Sequence, residues 1–267
     1  MSNRERAYDK QLKRKGAKLE SRVNESVPFC WMCPAKSGNR AKEHIFPLWL
    51  QRELRAEKET WTPTHSSVIG DILDSRGPHP TTALLAGEVC EECNGGWMNA
   101  LEGRFRDVMF PRHPIISESD GRVIAHWFAK TAIVINTAQN YRLAIPRDAR
   151  HAAQQGVPPG VGVFLGQMPN APDQLSFIQS QGNVFGFSKP GMGETAKELL
   201  KRAYCCVLRI DDIVAAVVYA PPGPWAWPLA EMTQLHPWRG EEIRWESLPL
   251  ISDVTEPLML YAEHPDL

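Results

Sequence analysis

Two C-x-x-C pairs constrain this chain more than any other feature. The first is Cys30-Trp31-Met32-Cys33 and the second Cys90-Glu91-Glu92-Cys93, with 56 residues between them. Each pair turns tightly enough to present two thiolates to one ion, and four sulfurs at about 2.3 Å saturate a structural Zn²⁺. The chain has six cysteines, so two such pairs are poorly explained as four unrelated core thiols. A redox C-x-x-C accounts for one pair and leaves the second without a role. The expectation is one tetrahedral zinc that ties residues near 30 to residues near 93.

Between the pairs lies Glu43-His44-Ile45-Phe46-Pro47, and Asn94 follows the last of the four cysteines, ahead of Gly95-Gly96-Trp97-Met98-Asn99. With these residues together, the stretch from about 28 to 105 resembles the HNH (ββα-metal finger) endonucleases, in the subgroup whose finger is clamped by a four-cysteine zinc. The resemblance implies a hairpin whose first strand ends in Glu43 and His44, and a helix that starts at the second C-x-x-C. It implies Glu43 and Asn94 as ligands of a catalytic divalent metal, His44 as general base, and Cys30, Cys33, Cys90 and Cys93 as the zinc ligands. Two positions depart from that pattern. Leu85 stands where many members carry an Asn that braces the base, and Trp97 stands at the usual Lys.

Periodicity can be read without the family. A helix over 91–109 places Trp97, Leu101, Phe105 and Val108 on one apolar stripe, with Asn94 one turn earlier on the same inward side. A polar residue there needs a partner, which a metal or a hairpin carboxylate would provide. A helix-start Asn that satisfies free backbone N–H groups is the ordinary alternative.

The chemistry implied is phosphodiester hydrolysis. Zinc locked by four thiolates has no open position, so a second ion is needed, Mg²⁺ or Mn²⁺, which favours oxygen donors such as a Glu carboxylate and an Asn amide. That ion would stabilise the leaving 3′ oxygen. His44 carries an imidazole, a side chain suited to take a proton from the attacking water. The family implies 5′-phosphate and 3′-hydroxyl products, and one finger makes one nick. A non-catalytic reading stays open: a zinc-stapled nucleic-acid-binding or scaffold protein whose finger has lost activity.

Composition narrows the rest. The chain has 267 residues, 43% of them apolar, with nine Trp, which suits a globular protein of one large or two modest domains. No apolar run reaches the roughly 18 residues of a membrane span, and the polar N-terminus has no secretory h-region. Cysteines set for metal rather than disulfides fit a reducing cytoplasm. Net charge is −1, yet residues 1–26 hold eight basic against four acidic side chains. This basic arm or helix, with Lys13, Arg14 and Lys15, suits phosphate contacts to nucleic acid, DNA being the expected form. A solvated tail is the bland alternative. Arg104, Arg106 and Arg112 are further candidates for phosphate.

The expected fold is therefore α+β: a zinc-stapled ββα-metal (HNH) finger over 27–112, then a C-terminal α+β domain with antiparallel strands over 113–267, available for a homodimer or partner protein. Pro47 starts a short helix to about Ala56, 57–82 reads as a long loop, and 83–89 is the second strand of the finger. Residues 120–138 read as a helix apolar on nearly all sides, buried between domains, with His126 and Lys130 as packing residues whose polar ends are satisfied. A short helix over 146–155 follows. Strands are expected at Val161–Leu165, Leu175–Gln179 and Val184–Phe187, then a hairpin of Tyr204–Ile210 and Ile213–Ala220 turning at Asp211-Asp212. Cys205 and Cys206 read as inert core thiols. Gly191-Met192-Gly193 lacks the spacing of a phosphate loop. Trp225, Trp227, Trp238 and Trp245 form either a partner surface or packing.

Overall fold

A computed structural model describes residues 29–62, 64–66, 72–75, 77–138, 144–171, 173–181, 203–220 and 232–253. The basic arm with Lys13, Arg14 and Lys15, the strand expected at 184–187, Gly191-Met192-Gly193, Trp225 and Trp227 lie outside the described residues. The architecture is mixed helix and antiparallel sheet.

Strand β1 (Arg40–His44) pairs antiparallel with β6 (Leu85–Cys90), Arg40 opposite Cys90 and His44 opposite Leu85. A bulge between Ala41 and Glu43 breaks the register, and such a bulge re-aims the side chains beyond it. Pro47 then caps α1 (Leu48–Glu53), its fixed φ already suited to a helix start.

The segment expected as a long loop is built instead as two nested antiparallel pairs. Strand β2 (Thr60–Trp61) pairs with β5 (His79–Pro80), and β3 (Thr64–Ser66) with β4 (Ile72–Ser75) inside it. Strands this short carry no readable alternation, which is why the pairing is invisible in the sequence. Buried Thr81 anchors the base of the insert through its hydroxyl, which donates to the Glu59 carbonyl at 2.8 Å.

The helix expected as one piece over 91–109 is broken. Residues Cys93–Met98 form a π-helical turn, with Gly96 in a non-helical conformation (φ −94°, ψ −108°), and α2 runs over Asn99–Met109. The wider turn shifts the helical register. The buried line is consequently Met98, Leu101, Phe105 and Met109, while Trp97 and Val108 are only half-buried. Asn94 is half-buried as well.

Helix α3 (Glu118–Ala138) is the axle of the structure. Ser117 accepts the backbone N–H of Asp120 at 3.1 Å, as an N-cap does. Every residue from Ile124 to Asn136 is buried, because α2 and β6 cover one side of the helix and the large sheet covers another. Gly121 is required by close approach, since a Cβ there would sit 2.6 Å from the Trp238 ring. In the last turn of the helix Asn136 Oδ1 accepts the backbone N–H groups of Ala144 and Ile145, each at 3.2 Å, and α4 (Arg147–Ala152) follows.

The sheet has five antiparallel strands in the order β12 (Thr233–His236), β8 (Val161–Gln167), β11 (Ile213–Tyr219), β10 (Tyr204–Ile210) and β9 (Leu175–Gln181). The β10–β11 hairpin turns at Asp211-Asp212 in the expected register, Ile210 opposite Ile213. All residues of β10 and β11 are buried, so these strands read as continuous apolar runs rather than alternating ones. One face, with Tyr204, Cys206, Leu208, Ala215 and Val217, joins the main core; the other forms a second cluster with Cys205, Val207, Val214, Ala216 and Phe164. The main core is continuous from the four cysteines through Phe105, Trp127 and Phe128 to the sheet. A last small pair joins β7 (Ile115–Ile116) to β13 (Ile243–Arg244). No helix among the described residues is long and apolar enough to cross a membrane.

Candidate metal centre and catalytic site

The hairpin register brings the two C-x-x-C pairs together. Trp31 donates its N–H to the Glu88 carbonyl at 2.8 Å, which docks the first knuckle on β6, and Cys90 and Cys93 flank the step into the π turn. All four sulfurs lie within 4.8 Å of one another, and Cys33 Sγ and Cys90 Sγ are 3.6 Å apart. A disulfide needs about 2.05 Å. A tetrahedral ion with arms of about 2.3 Å needs sulfurs about 3.8 Å apart, so the spacing fits a metal and not a bond.

The electrostatics agree. The Cys30 thiol is pulled down to about 4, chiefly by the Cys93 thiol that donates to it, helped by the backbone N–H groups of Cys90 and Met32 at 3.4 Å, against the effect of burial. Burial pushes Cys33 up to about 11, and Cys93 is raised by its bond to Cys30. Four sulfurs gathered this closely, with two backbone N–H groups aimed at Cys30, make a donor set suited to a soft or borderline cation such as zinc. Among the described residues these four cysteines are the group of His, Cys, Asp or Glu close enough to hold a metal. Cys205 and Cys206 are different: both are fully buried and both thiols are raised by burial, Cys206 to about 12, as inert core cysteines should be.

Glu43 and His44 end β1, and alternation along the strand treats them oppositely. Glu43 is 4% exposed and faces the interior, whereas His44 is half-buried beside Leu85, itself 38% exposed. Burial raises the Glu43 carboxyl, opposed mainly by a cation that the sequence did not assign to it. That cation is Lys130 of α3, which donates to Glu43 Oε1 at 3.0 Å and to Glu102 Oε1 at 3.1 Å. Burial alone would lower Lys130, but the two carboxylates outweigh it and the net shift is upward. Glu102 Oε2 also accepts the Trp49 indole N–H at 3.1 Å.

Asn94 is half-buried, four residues before the buried Met98. It lies in the first turn after Cys93, two helical turns before Glu102, and among the described residues it does not hydrogen-bond Glu43 or His44. The helix residue brought to Glu43 is Glu102, through Lys130. Neither Glu102 nor Lys130 was among the candidate site residues, although a lysine in the middle of an otherwise apolar helix calls for a buried anion. Reading Lys130 and His126 as satisfied polar ends agrees with the structure: His126 Nε2 pairs with the Ala153 carbonyl at 2.6 Å and its ring stacks on Trp97 at 5.9 Å.

The arginines divide. Arg104 is exposed. Arg106 is also exposed but bonds Glu53 at 3.3 Å and lies over the Trp49 ring at 5.7 Å. Arg112 is engaged by Asp211 at 3.2 Å and Asp212 at 2.7 Å, which pins the end of α2 to the β10–β11 turn. Comparison with known protein families, curated proteins and solved structures returns no match for the chain.

Proposed function

We propose that the protein is a metal-dependent endonuclease of the HNH type that hydrolyses phosphodiester bonds of nucleic acid, with DNA as the expected substrate. One observation carries the reading: an antiparallel hairpin runs directly into a helix, four cysteines clamp the junction, and the first strand ends in Glu43 and His44. In this reading His44 is the general base. Its half-buried position at a strand end suits a group that must meet water and still be held. Glu43 and Asn94 offer a carboxylate and an amide oxygen, the donor chemistry that Mg²⁺ or Mn²⁺ prefers. Such an ion would stabilise charge at the scissile phosphate and leaving oxygen. Arg104, exposed on α2, and the basic residues Lys13, Arg14 and Lys15 would contact phosphates; Arg106 would first have to leave Glu53.

The test is cleavage of supercoiled plasmid with Mg²⁺ or Mn²⁺, with and without EDTA, by wild type and His44→Ala. Wild type should nick, and the variant should keep its zinc and nucleic-acid affinity while cutting about two to four orders of magnitude more slowly. Equal rates with the same metal would refute the assignment. One observation favours a second reading, a zinc-stapled binding or scaffold protein without activity: Glu43 already has a cation in Lys130. Tight nucleic-acid binding by a wild type that cuts no substrate would select it.

A further inference from the structure

Trp97 stands four residues after Cys93, toward the far end of the π turn that this cysteine opens. The hydrogen-bonding atom of its side chain is Nε1, a donor only. That nitrogen is buried although the residue is half-buried, and among the described residues no nitrogen or oxygen accepts its hydrogen. A buried N–H without an acceptor is destabilising, so an acceptor of another kind is called for. The Cys93 sulfur is in reach: its thiol is raised chiefly by the bond to Cys30, and the Trp97 side chain acts against that rise, favouring the thiolate. The ring is held in this place from behind. His126 stacks on it with 5.9 Å between centroids and 6° between planes, and His126 Nε2 in turn donates to the Ala153 carbonyl at 2.6 Å.

We infer that Trp97 belongs to the metal centre: its indole N–H is the hydrogen-bond donor to the Cys93 thiolate, and His126 is the positioning residue that holds the ring to it. The inference concerns the four-cysteine centre and is independent of any cleavage. Cysteine ligates a metal as thiolate, and a thiolate is the stronger acceptor, so the bond is charge-assisted in the metal-bound form. Four thiolates carry more negative charge than one zinc ion neutralises, and donors aimed at the sulfurs offset the excess. Cys30 has two such donors, the backbone N–H groups of Met32 and Cys90, each at 3.4 Å. Trp97 does for the second knuckle what those groups do for the first. Partners of this kind, beyond the ligands themselves, set how firmly a site holds its metal.

The test loads the full chain with Co²⁺, whose sulfur-to-metal charge-transfer absorption reports on the thiolates, and measures zinc affinity separately by competition with a chelator. Wild type is compared with Trp97→Phe, with Trp97→3-benzothienylalanine and with His126→Ala. The benzothienyl side chain keeps the shape of the indole and replaces its N–H by sulfur, so it decides alone if Trp97→Phe does not fold. Without the donor the thiolate gives up an electron more readily, and the charge-transfer band should move to longer wavelength. Zinc affinity should fall roughly 10-fold in the same variant. His126→Ala, which frees the ring, should move the band in the same direction by less, and an unmoved band there removes His126 from the arrangement. A merely packing role for Trp97 would leave the band in place whatever happened to affinity. The inference requires both changes in the benzothienyl variant, and the absence of either overturns it. A wild type that takes up no Co²⁺ on its thiolates refutes the centre itself.

Discussion

Replacing Lys130 by Met tests whether the buried ion group acts as a unit. The side chain keeps its length and loses its charge, leaving Glu43 and Glu102 facing the vacated place. Both carboxylate oxygens lie near 3 Å from one nitrogen, so they are at most about 6 Å apart, where two unit charges repel by about 3 kcal/mol at an effective dielectric of about 20. Removing one partner of a buried pair generally costs about 3–5 kcal/mol, a large share of a stability of roughly 5–15 kcal/mol. If the groups act as a unit, the loss depends on Glu102. Lys130→Met should cost about 3–5 kcal/mol in the wild-type background and about 1–2 kcal/mol once Glu102→Gln is present, a coupling of about 2–3 kcal/mol. Urea denaturation with zinc present, followed by tryptophan fluorescence, measures this well, because Trp49 and Trp127 both touch the group. Single effects that add to within about 0.5 kcal/mol would refute the reasoning.

The four-cysteine centre should hold about one zinc per chain by elemental analysis, and Cys90→Ala should lose both the metal and the folded finger, because binding and folding are coupled in such sites. Folded wild-type protein free of zinc would remove the anchor of the reading. A pH effect is expected at His126 and His236, whose pKa values are lowered by burial, His126 against the pull of the Ala153 carbonyl. A lowered histidine contributes stability that is complete above its unfolded pKa of about 6.5 and is lost as pH falls below it. The raised Glu43 carboxyl works in the opposite sense and is common to both proteins compared. His126→Gln should therefore flatten the fall in stability on acidification below about pH 6.5, and an unchanged slope would show that His126 does not titrate in this way.

Much of the local architecture was legible because its signals are local. The C-x-x-C pairs, Pro47 at a helix start, the apolar run of α3 and the Asp211-Asp212 turn between two apolar strands each lie within a few residues of what they specify. The break at Gly95-Gly96 was less legible, since a π turn changes only the phase of a helical stripe. The paired insert between α1 and β6 was not legible, because its strands hold two to four residues each.

The sequence by itself determined that four thiols come in two C-x-x-C pairs suited to one metal, that Glu43 and His44 lie at a strand end, and that a lysine would be buried in α3. Which carboxylates meet that lysine was decided by the tertiary structure alone. Glu43 is 87 positions away in the chain and Glu102 is 28 away, and both arrive only when the hairpin and α2 pack on α3. The physical reason is one of range. Thiolate pairs and turns are specified by neighbours along the chain, whereas the partner of a buried charge is whichever anion the packed core brings within hydrogen-bond reach, since an unpaired one cannot remain there.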